Sequence, residues 1–262
     1  MINTGYLYSK DKKRIFVNTC LGCNGQCVYC YLPKMGYDNK NVSLDVKKAE
    51  DLISQIEALG ITNDTLITLG CFSECWDDNN KPETRKLLEY FLKRGNQIQL
   101  STKKEIKPEE IEQYKELVKY KGQFVIFISS ATISRWREIE PNTASPDRRF
   151  RIFDLPKDWK IPTVLYMKPV LKNITMKDIE LYEDIMRIHD IKDVVVGSIF
   201  GEERSLESVH FSDANNLFYN EISDELEIKR RLMKLGNVRI FSRSSKVMEY
   251  YKKRELEIEE KL

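Results

Sequence analysis

Apolar residues in this chain follow two rhythms, dense short runs and longer stretches at helical spacing, and the two alternate. The runs at Ile15-Phe16-Val17-Asn18-Thr19, Thr65–Leu69, Gln97–Leu100, Phe124–Ile128, Pro162–Met167 and Val194–Ile199 predict strands. Between them, Ser43–Leu59 carries Val46, Ala49, Leu52, Ile53, Ile56 and Leu59 at helical spacing and stops at Gly60. Pro82–Lys93 places Leu87, Leu88, Phe91 and Leu92 on one helical face. Pro108 suits the first turn of a helix reaching about Tyr120, and Ile174–Ile188 predicts another. Arg135–Arg149 has neither rhythm and is expected to be irregular. Strands that are apolar almost throughout need cover on both faces, so the repeated strand–helix unit predicts an α/β fold with a parallel sheet. Right-handed crossovers curl such a sheet into a partial (β/α)6 barrel of the TIM type.

After residue 200 the rhythm is lost. Residues 201–224 are polar and mixed and predict loop with a short helix. Glu221–Leu235 reads as a helix, Val238–Phe241 as a short strand, and Ser244–Leu262 as a charged helix. With no internal repeat and no low-complexity linker, the expected organisation is a core over 1–200 and a small C-terminal appendage, 201–262, packed on it.

Charge adds little, because 43 basic residues nearly cancel 41 acidic ones and give no general affinity for nucleic acid. No apolar run reaches the ~18 residues of a membrane span, and the N-terminus has no apolar signal region. A cytoplasmic protein with no membrane partner is therefore expected. In that reducing setting clustered cysteines bind metal or do redox chemistry more often than they form disulfides.

Four of the six cysteines fall between Thr19 and Leu32, directly after the first predicted strand. Cys23, Cys27 and Cys30 have the spacing C-x3-C-x2-C, with Gly22 and Gly25 allowing tight backbone turns. Thiolates suit iron–sulfur clusters or zinc. Three ligands can hold three irons of a four-iron cluster and leave the fourth open. A zinc site that adds Cys20 is the alternative, although the short gap between Cys23 and Cys27 is cramped for it. The cysteine loop, the loop Gly70-Cys71-Phe72-Ser73-Glu74-Cys75-Trp76-Asp77, Lys103 and Ser129 all follow predicted strands. In barrels and open α/β sheets that is the end where ligands bind, so these groups are expected at one mouth.

C-x3-C-x2-C with Tyr29 before the last cysteine resembles the signature of the radical SAM superfamily. The string Gly25-Gln26-Cys27-Val28-Tyr29-Cys30-Tyr31-Leu32 is similar to the branch that contains spore photoproduct lyase. So are Gly70-Cys71-Phe72-Ser73-Glu74, Thr102-Lys103, Ser129 and the string Glu140-Pro141-Asn142-Thr143-Ala144-Ser145-Pro146-Asp147-Arg148-Arg149, in the same order along roughly residues 15–170. The resemblance implies a [4Fe-4S] cluster on Cys23, Cys27 and Cys30 that reductively cleaves S-adenosylmethionine to a 5′-deoxyadenosyl radical. It implies an electron donor such as flavodoxin or ferredoxin. It places Ser73, Glu74, Lys103 and Ser129 around S-adenosylmethionine, with Glu74 standing where the family has Asp. Cys71 would give a hydrogen atom to the substrate radical, and Tyr29 and Tyr31 would relay the radical back. Taken alone, Lys103 also reads as a solvated strand-end lysine, Cys71 as a small buried residue, and the tyrosines as packing. Cys20 and Cys75 have no counterpart, and His189 reads as a helix C-terminal partner.

The substrate is less defined. The resemblance implies carbon–carbon lyase repair of a thymine photolesion in DNA, with modification of another nucleotide, RNA or peptide as the alternative. A non-catalytic metal-binding module is a third reading. Cations for DNA are available at Arg135, Arg137, Arg148, Arg149 and Arg151, beside Trp136 and Phe150, and at Lys229, Arg230, Arg231, Lys234, Arg239, Arg243 and Lys246. Acidic residues interrupt both sets. The chain has only about twenty residues before the cysteine loop, and no clear counterpart of that lyase's C-terminal lesion-recognition hairpin is visible.

Overall fold

The computed structural model describes residues 2–40, 45–197, 199–201, 208–211, 218–220 and 223–259. In chain order the elements are β1 (Ile2–Asn3), β2 (Leu7–Ser9), β3 (Arg14–Val17), α1 (Ala49–Ala58), β4 (Leu66–Leu69), α2 (Lys81–Arg94), β5 (Ile98–Thr102), α3 (Pro108–Glu112) and β6 (Phe124–Ser129). Then come α4 (Trp136–Ile139), α5 (Pro146–Phe150), β7 (Thr163–Met167), α6 (Ile179–Ile188), β8 (Asp193–Val196), β9 (Ile199–Gly201), β10 (Ser208–Phe211), β11 (Phe218–Asn220), α7 (Ser223–Met233), β12 (Arg239–Phe241) and α8 (Ser244–Glu259). One sheet runs β1-β2-β3-β4-β5-β6-β7-β8-β12. From β3 to β8 every neighbour is parallel, which is the expected partial (β/α)6 barrel, and β12 adds a further parallel strand beside β8. The antiparallel strands β1 and β2 cover the opposite edge beside β3.

Side chains alternate across each strand, and the two faces differ. Ile15, Val17, Ile67, Leu69, Ile98, Leu100, Phe124, Ile126, Ile128, Leu165, Val194 and Val196 belong to the main core under the helices. On the inner face, Val125, Phe127, Val164 and Val195 pack against Val247, Met248 and Tyr251 of α8. The C-terminal helix thus closes the base of the barrel. It is fixed there by Gln97 Nε2 to the Met248 carbonyl at 3.0 Å and by the Tyr251 hydroxyl to Asp193 at 2.5 Å. Towards the other end the inner-face residues become polar: Ser129 follows Val125 and Phe127, and Tyr166 and Lys168 follow Val164.

Several expected boundaries move. Asp45–Lys48 is not helical, because Lys47 N–H bonds to the Thr19 carbonyl at 2.7 Å and Glu83 of α2 caps the Ala49 N–H. Ser43 lies outside the described residues. The α-helix opened by Pro108 ends at Glu112, and the chain continues as turns with i→i−3 bonds at Tyr114, Lys115 and Leu117. The sixth strand stops at Val196. Where loop and short helix were expected after 200, β9, β10 and β11 form a separate antiparallel sheet of order β10-β11-β9, favoured by β-branched and aromatic residues such as Val209, Phe211, Phe218 and Tyr219. Residues 202–207 and 212–217 lie outside the described residues. The segment expected to be irregular contains α4 and α5. No described helix is long and apolar enough to cross a membrane.

Candidate functional site

A cavity of about 540 Å³ opens where the parallel strands end. Its wall includes Cys23, Cys27 and Cys30, and also Tyr29, Tyr31, Cys71, Ser73, Glu74, Lys103 and Ser129. Parts of both loops expected at one mouth, with Lys103 and Ser129, therefore meet there. Cys20 and Cys75 do not line it. Cys20 is fully buried and its sulfur accepts from Asn80 Nδ2 at 3.1 Å, while the Cys75 thiol faces the Ser101 carbonyl at 3.5 Å.

The cysteine loop is held from outside by the segment between β6 and α5. Val28 N–H bonds to the Ile139 carbonyl at 3.0 Å, Asn142 N–H to the Gly25 carbonyl at 3.3 Å, and Asn142 Nδ2 to the Asn24 carbonyl at 3.0 Å. Within the loop Gly25 N–H donates to Cys23 Sγ at 3.2 Å, and a Cβ at Gly25 would lie 3.2 Å from that sulfur and 3.8 Å from the sulfur of Cys27. Burial pushes the Cys23 thiol up to about 12, with Glu74 adding to it. It pushes Cys27 up to about 11 against the pull of Lys103.

Whether these residues suit an iron–sulfur group depends on the donors and their spread. No three His, Cys, Asp or Glu side chains among the described residues converge closely enough for a single ion. Three thiols spaced around one cavity, with a backbone N–H aimed at one sulfur and no side chain at Gly25 to fill the space, fit a wider multi-iron core. The zinc arrangement using Cys20 does not fit, because that sulfur is turned away and held by Asn80.

Beside the thiols, Glu74 joins two strand ends. One oxygen accepts from the Thr102 hydroxyl and from Trp76 N–H at 3.1 Å, and the other accepts from Lys103 N–H at 3.0 Å. Lys103 Nζ sits 5.6 Å from the centre of the Tyr29 ring. Burial alone would lower its pKa, but Cys27, Glu140, Glu74 and Cys23 outweigh that and raise it. Ser73 Oγ is buried with no hydrogen-bond partner among the described residues beyond a weak approach to the Cys20 thiol. Ser129 is buried, and its carbonyl accepts from Arg149 Nη1 at 2.6 Å.

The two tyrosines have different partners. The Tyr31 hydroxyl donates to the Cys71 carbonyl at 2.5 Å and lies 3.8 Å from the Cys71 sulfur. The Tyr29 hydroxyl donates to Glu140, whose other oxygen is 2.8 Å from Arg149 Nη1 in a fully buried pair. Burial raises both phenols well above their usual range, and Glu140 adds to it at Tyr29. Burial also holds the Cys71 thiol up to about 11, opposed by its bond to Tyr31 and by the nearby Arg14. Gly70 makes the turn into this loop at φ +84, where a Cβ would lie 2.3 Å from the Ser101 carbonyl oxygen.

Most cations proposed for DNA are engaged elsewhere. Arg135 pairs with Glu138, Arg148 and Arg151 with Glu105, Arg149 with Glu140, Arg231 with Glu183 and Arg239 with Asp193. Lys229, Arg230 and Lys246 pair within their own helices. Arg243 instead lines the cavity, together with Arg14 and Lys168, which sequence reasoning did not single out. Their signal is alternation, since each is a cation at a position sharing the inner face or its rim. His189 caps α6 and meets Asp154 through Nδ1 at 2.8 Å.

No curated protein matches the chain in sequence. Among solved structures, a substituted spore photoproduct lyase aligns with TM-score 0.63 and 14% identity over 89% of this chain and 76% of that one. A doubly substituted form of that lyase with bound AdoMet and dinucleoside spore photoproduct gives TM-score 0.64 and 16% identity, covering 88% and 76%. SuiB of Streptococcus suis bound to S-adenosylmethionine gives TM-score 0.55 and 12% identity, covering 86% of this chain and 49% of that chain. These likenesses are of fold. The family model of the radical SAM superfamily matches residues 17–185, more than half of the sequence, and spans the cysteine loop and strands β4 to β7. The chain belongs to the radical SAM superfamily.

Proposed function

We propose that this chain is a radical enzyme in which Cys23, Cys27 and Cys30 hold a [4Fe-4S] cluster, with S-adenosylmethionine bound between Glu74, Lys103, Ser73 and Ser129. When bound, the cluster and S-adenosylmethionine supply a 5′-deoxyadenosyl radical, with one electron drawn from a donor such as a flavodoxin or ferredoxin. Lys103, kept cationic by the anions around it, meets the methionine carboxylate. Glu74, fixed by Thr102 and the Lys103 N–H, offers its remaining acceptor capacity to an amine or a ribose hydroxyl.

The observation that carries the reading further is the contact between Tyr31 and Cys71 on the wall that also holds the cluster thiols. In this reading Cys71 S–H gives its hydrogen atom to a substrate carbon radical, leaving a thiyl. The Tyr31 O–H then returns a hydrogen atom to sulfur and becomes the phenoxyl. Burial keeps both groups protonated, so each has its hydrogen to give. Tyr29 is the further step of the relay, and its bond to Glu140 gives its hydroxyl proton an acceptor. This arrangement supports lyase-type chemistry of the spore photoproduct kind, in which a thymine photolesion is reversed. Modification of another substrate is the second reading, and it is favoured by the ion pairs that occupy most of the surface cations.

The test is anaerobic reconstitution followed by measurement of 5′-deoxyadenosine, with and without DNA carrying spore photoproduct. Thymine restoration supports the lyase reading. 5′-Deoxyadenosine without thymine selects another substrate, and no 5′-deoxyadenosine under any condition rejects radical chemistry. Cys71→Ala is expected to keep S-adenosylmethionine cleavage and divert the substrate radical to side products; an unchanged product distribution rejects Cys71 as donor.

A further inference from the structure

The cavity has a second chemistry away from the cysteine loop. There its wall carries Arg14, Lys168 and Arg243, with the hydroxyls of Ser244 and Ser245 beside them. The three cations come from separate parts of the chain: Arg14 from the start of β3, Lys168 from the residue after β7, and Arg243 from the link between β12 and α8. Arg14 is oriented by Thr68 Oγ1 at 2.8 Å, Gln99 Oε1 at 2.9 Å and Ser244 Oγ at 3.4 Å, with its guanidinium 4.5 Å from the centre of the Phe16 ring. Gly197 leaves room for the Lys168 stem, because a Cβ there would lie 3.1 Å from Lys168 Cδ and 3.4 Å from Cε.

The wall is electrostatically one unit. Burial, Arg243 and Arg14 pull Lys168 down to about 7, and Glu225 opposes them. Glu225 is itself paired with Lys229. Of the described acids on the cavity, Glu74 is engaged by Thr102 and Lys103 at the cluster end, and Asp11 accepts from Lys13 N–H at 3.0 Å. Three cations gathered inside a barrel repel one another and lose hydration. Lower on the same face the chain uses Val125, Phe127 and Val164 instead. Two guanidiniums and an ammonium on one cavity wall offer the charge and the N–H donors that a phosphate takes up.

We propose that Arg14, Lys168 and Arg243 bind the phosphate of a small phosphate-monoester substrate and hold its carbon framework towards Cys71. Charge selects the monoester: it carries roughly −1.5 to −2 near neutrality, against one negative charge for a carboxylate or a backbone phosphodiester. Position selects Cys71, because it lines the same cavity as Arg14, Lys168 and Arg243. The inference names the substrate class of the proposed radical enzyme and rests on that reading of the cavity.

Calorimetric titration of the full chain tests it, with inorganic phosphate, acetate and oligothymidylate as separate probes. Phosphate is expected to bind, with acetate at least about tenfold weaker. Arg243→Gln and Lys168→Gln are each expected to weaken phosphate by about tenfold, and thermal melts report whether they remain folded. Gly197→Ala, which crowds the Lys168 stem, is the further variant and is expected to weaken phosphate as well. Absence of phosphate binding, undiminished binding in the folded variants, or acetate or oligothymidylate binding as tightly as phosphate overturns the proposal. The titration requires no cluster and no turnover, so its failure leaves the radical reading standing. Absent 5′-deoxyadenosine formation removes that reading without touching the titration.

Discussion

The fully buried Arg149 and Glu140 lie behind Tyr29, and their pairing is costly to disturb from one side. Arg149→Met leaves a carboxylate in the interior with the Tyr29 hydroxyl and the Ala131 N–H at 3.3 Å as its hydrogen-bond donors and no paired guanidinium. A loss of about 3–5 kcal/mol is expected in denaturant titration, with the double variant Arg149→Met, Glu140→Gln losing less than the two single changes summed. The six cysteines should also separate by reactivity, since the thiolate is the nucleophile and access limits it. Access separates them here, because Cys20 and Cys75 are buried while Cys23, Cys27 and Cys30 are partly exposed on the cavity wall. Brief alkylation of the metal-free chain near neutrality, read by peptide mass mapping, should therefore label Cys23, Cys27 and Cys30 well before these two. Equal labelling of Cys20 would place it on the cavity after all. The spacing of Cys23, Cys27 and Cys30 was legible because one short loop carries it. Asn80, which decides the fate of Cys20, was not, since nothing local links residues 60 apart in sequence.

Elements were readable where their period was long and their apolar side continuous. The strands from β4 to β7 and the helix α2 lie within a residue or two of expectation. The failures have physical causes. Strands β10 and β11 are short and flanked by polar residues, so alternation has too few positions to register. The helix expected from Ser43 was shortened by tertiary bonds from Thr19 and Glu83. Arg14 was hidden because the first run was read for its apolar residues, and Lys168 because it stands between a strand and Pro169. The loop after β4 makes a sharp test at this scale. Gly70→Ala combines a left-handed backbone with a contact 2.3 Å from the Ser101 carbonyl oxygen. A loss of more than about 2 kcal/mol is expected, and Cys71 should be displaced from Tyr31. Unchanged stability would mean that the turn can relax.

For the molecule as a whole, the cation wall couples substrate, protonation and stability. Lys168 titrates about 7 in the fold against 10.5 for an unperturbed lysine, facing Arg14 from β3, Arg243 before α8 and Glu225 from α7. Between those values the unfolded chain binds more protons than the folded one, so stability rises with pH across the window. The penalty is absent above about 10.5 and complete below about 7. Above pH 7 phosphate binding runs the other way, weakening as Lys168 loses its proton. Calorimetry at pH 7.5 and pH 9, where inorganic phosphate is mostly the dianion, should show this decline, and Lys168→Gln should flatten it; a decline of equal slope in that variant would assign it to another group.

The helix at the base of the barrel gives the order of manufacture a consequence. Strands β3 to β8 are all translated before residue 200, yet the inner valines stay wet until Val247, Met248 and Tyr251 have left the ribosome. The cysteine loop emerges well before the floor beneath its cavity. A nascent chain therefore carries the cavity thiols above an open-bottomed barrel, and on the proposed cluster reading loading with iron and sulfide is best timed after α8 has docked.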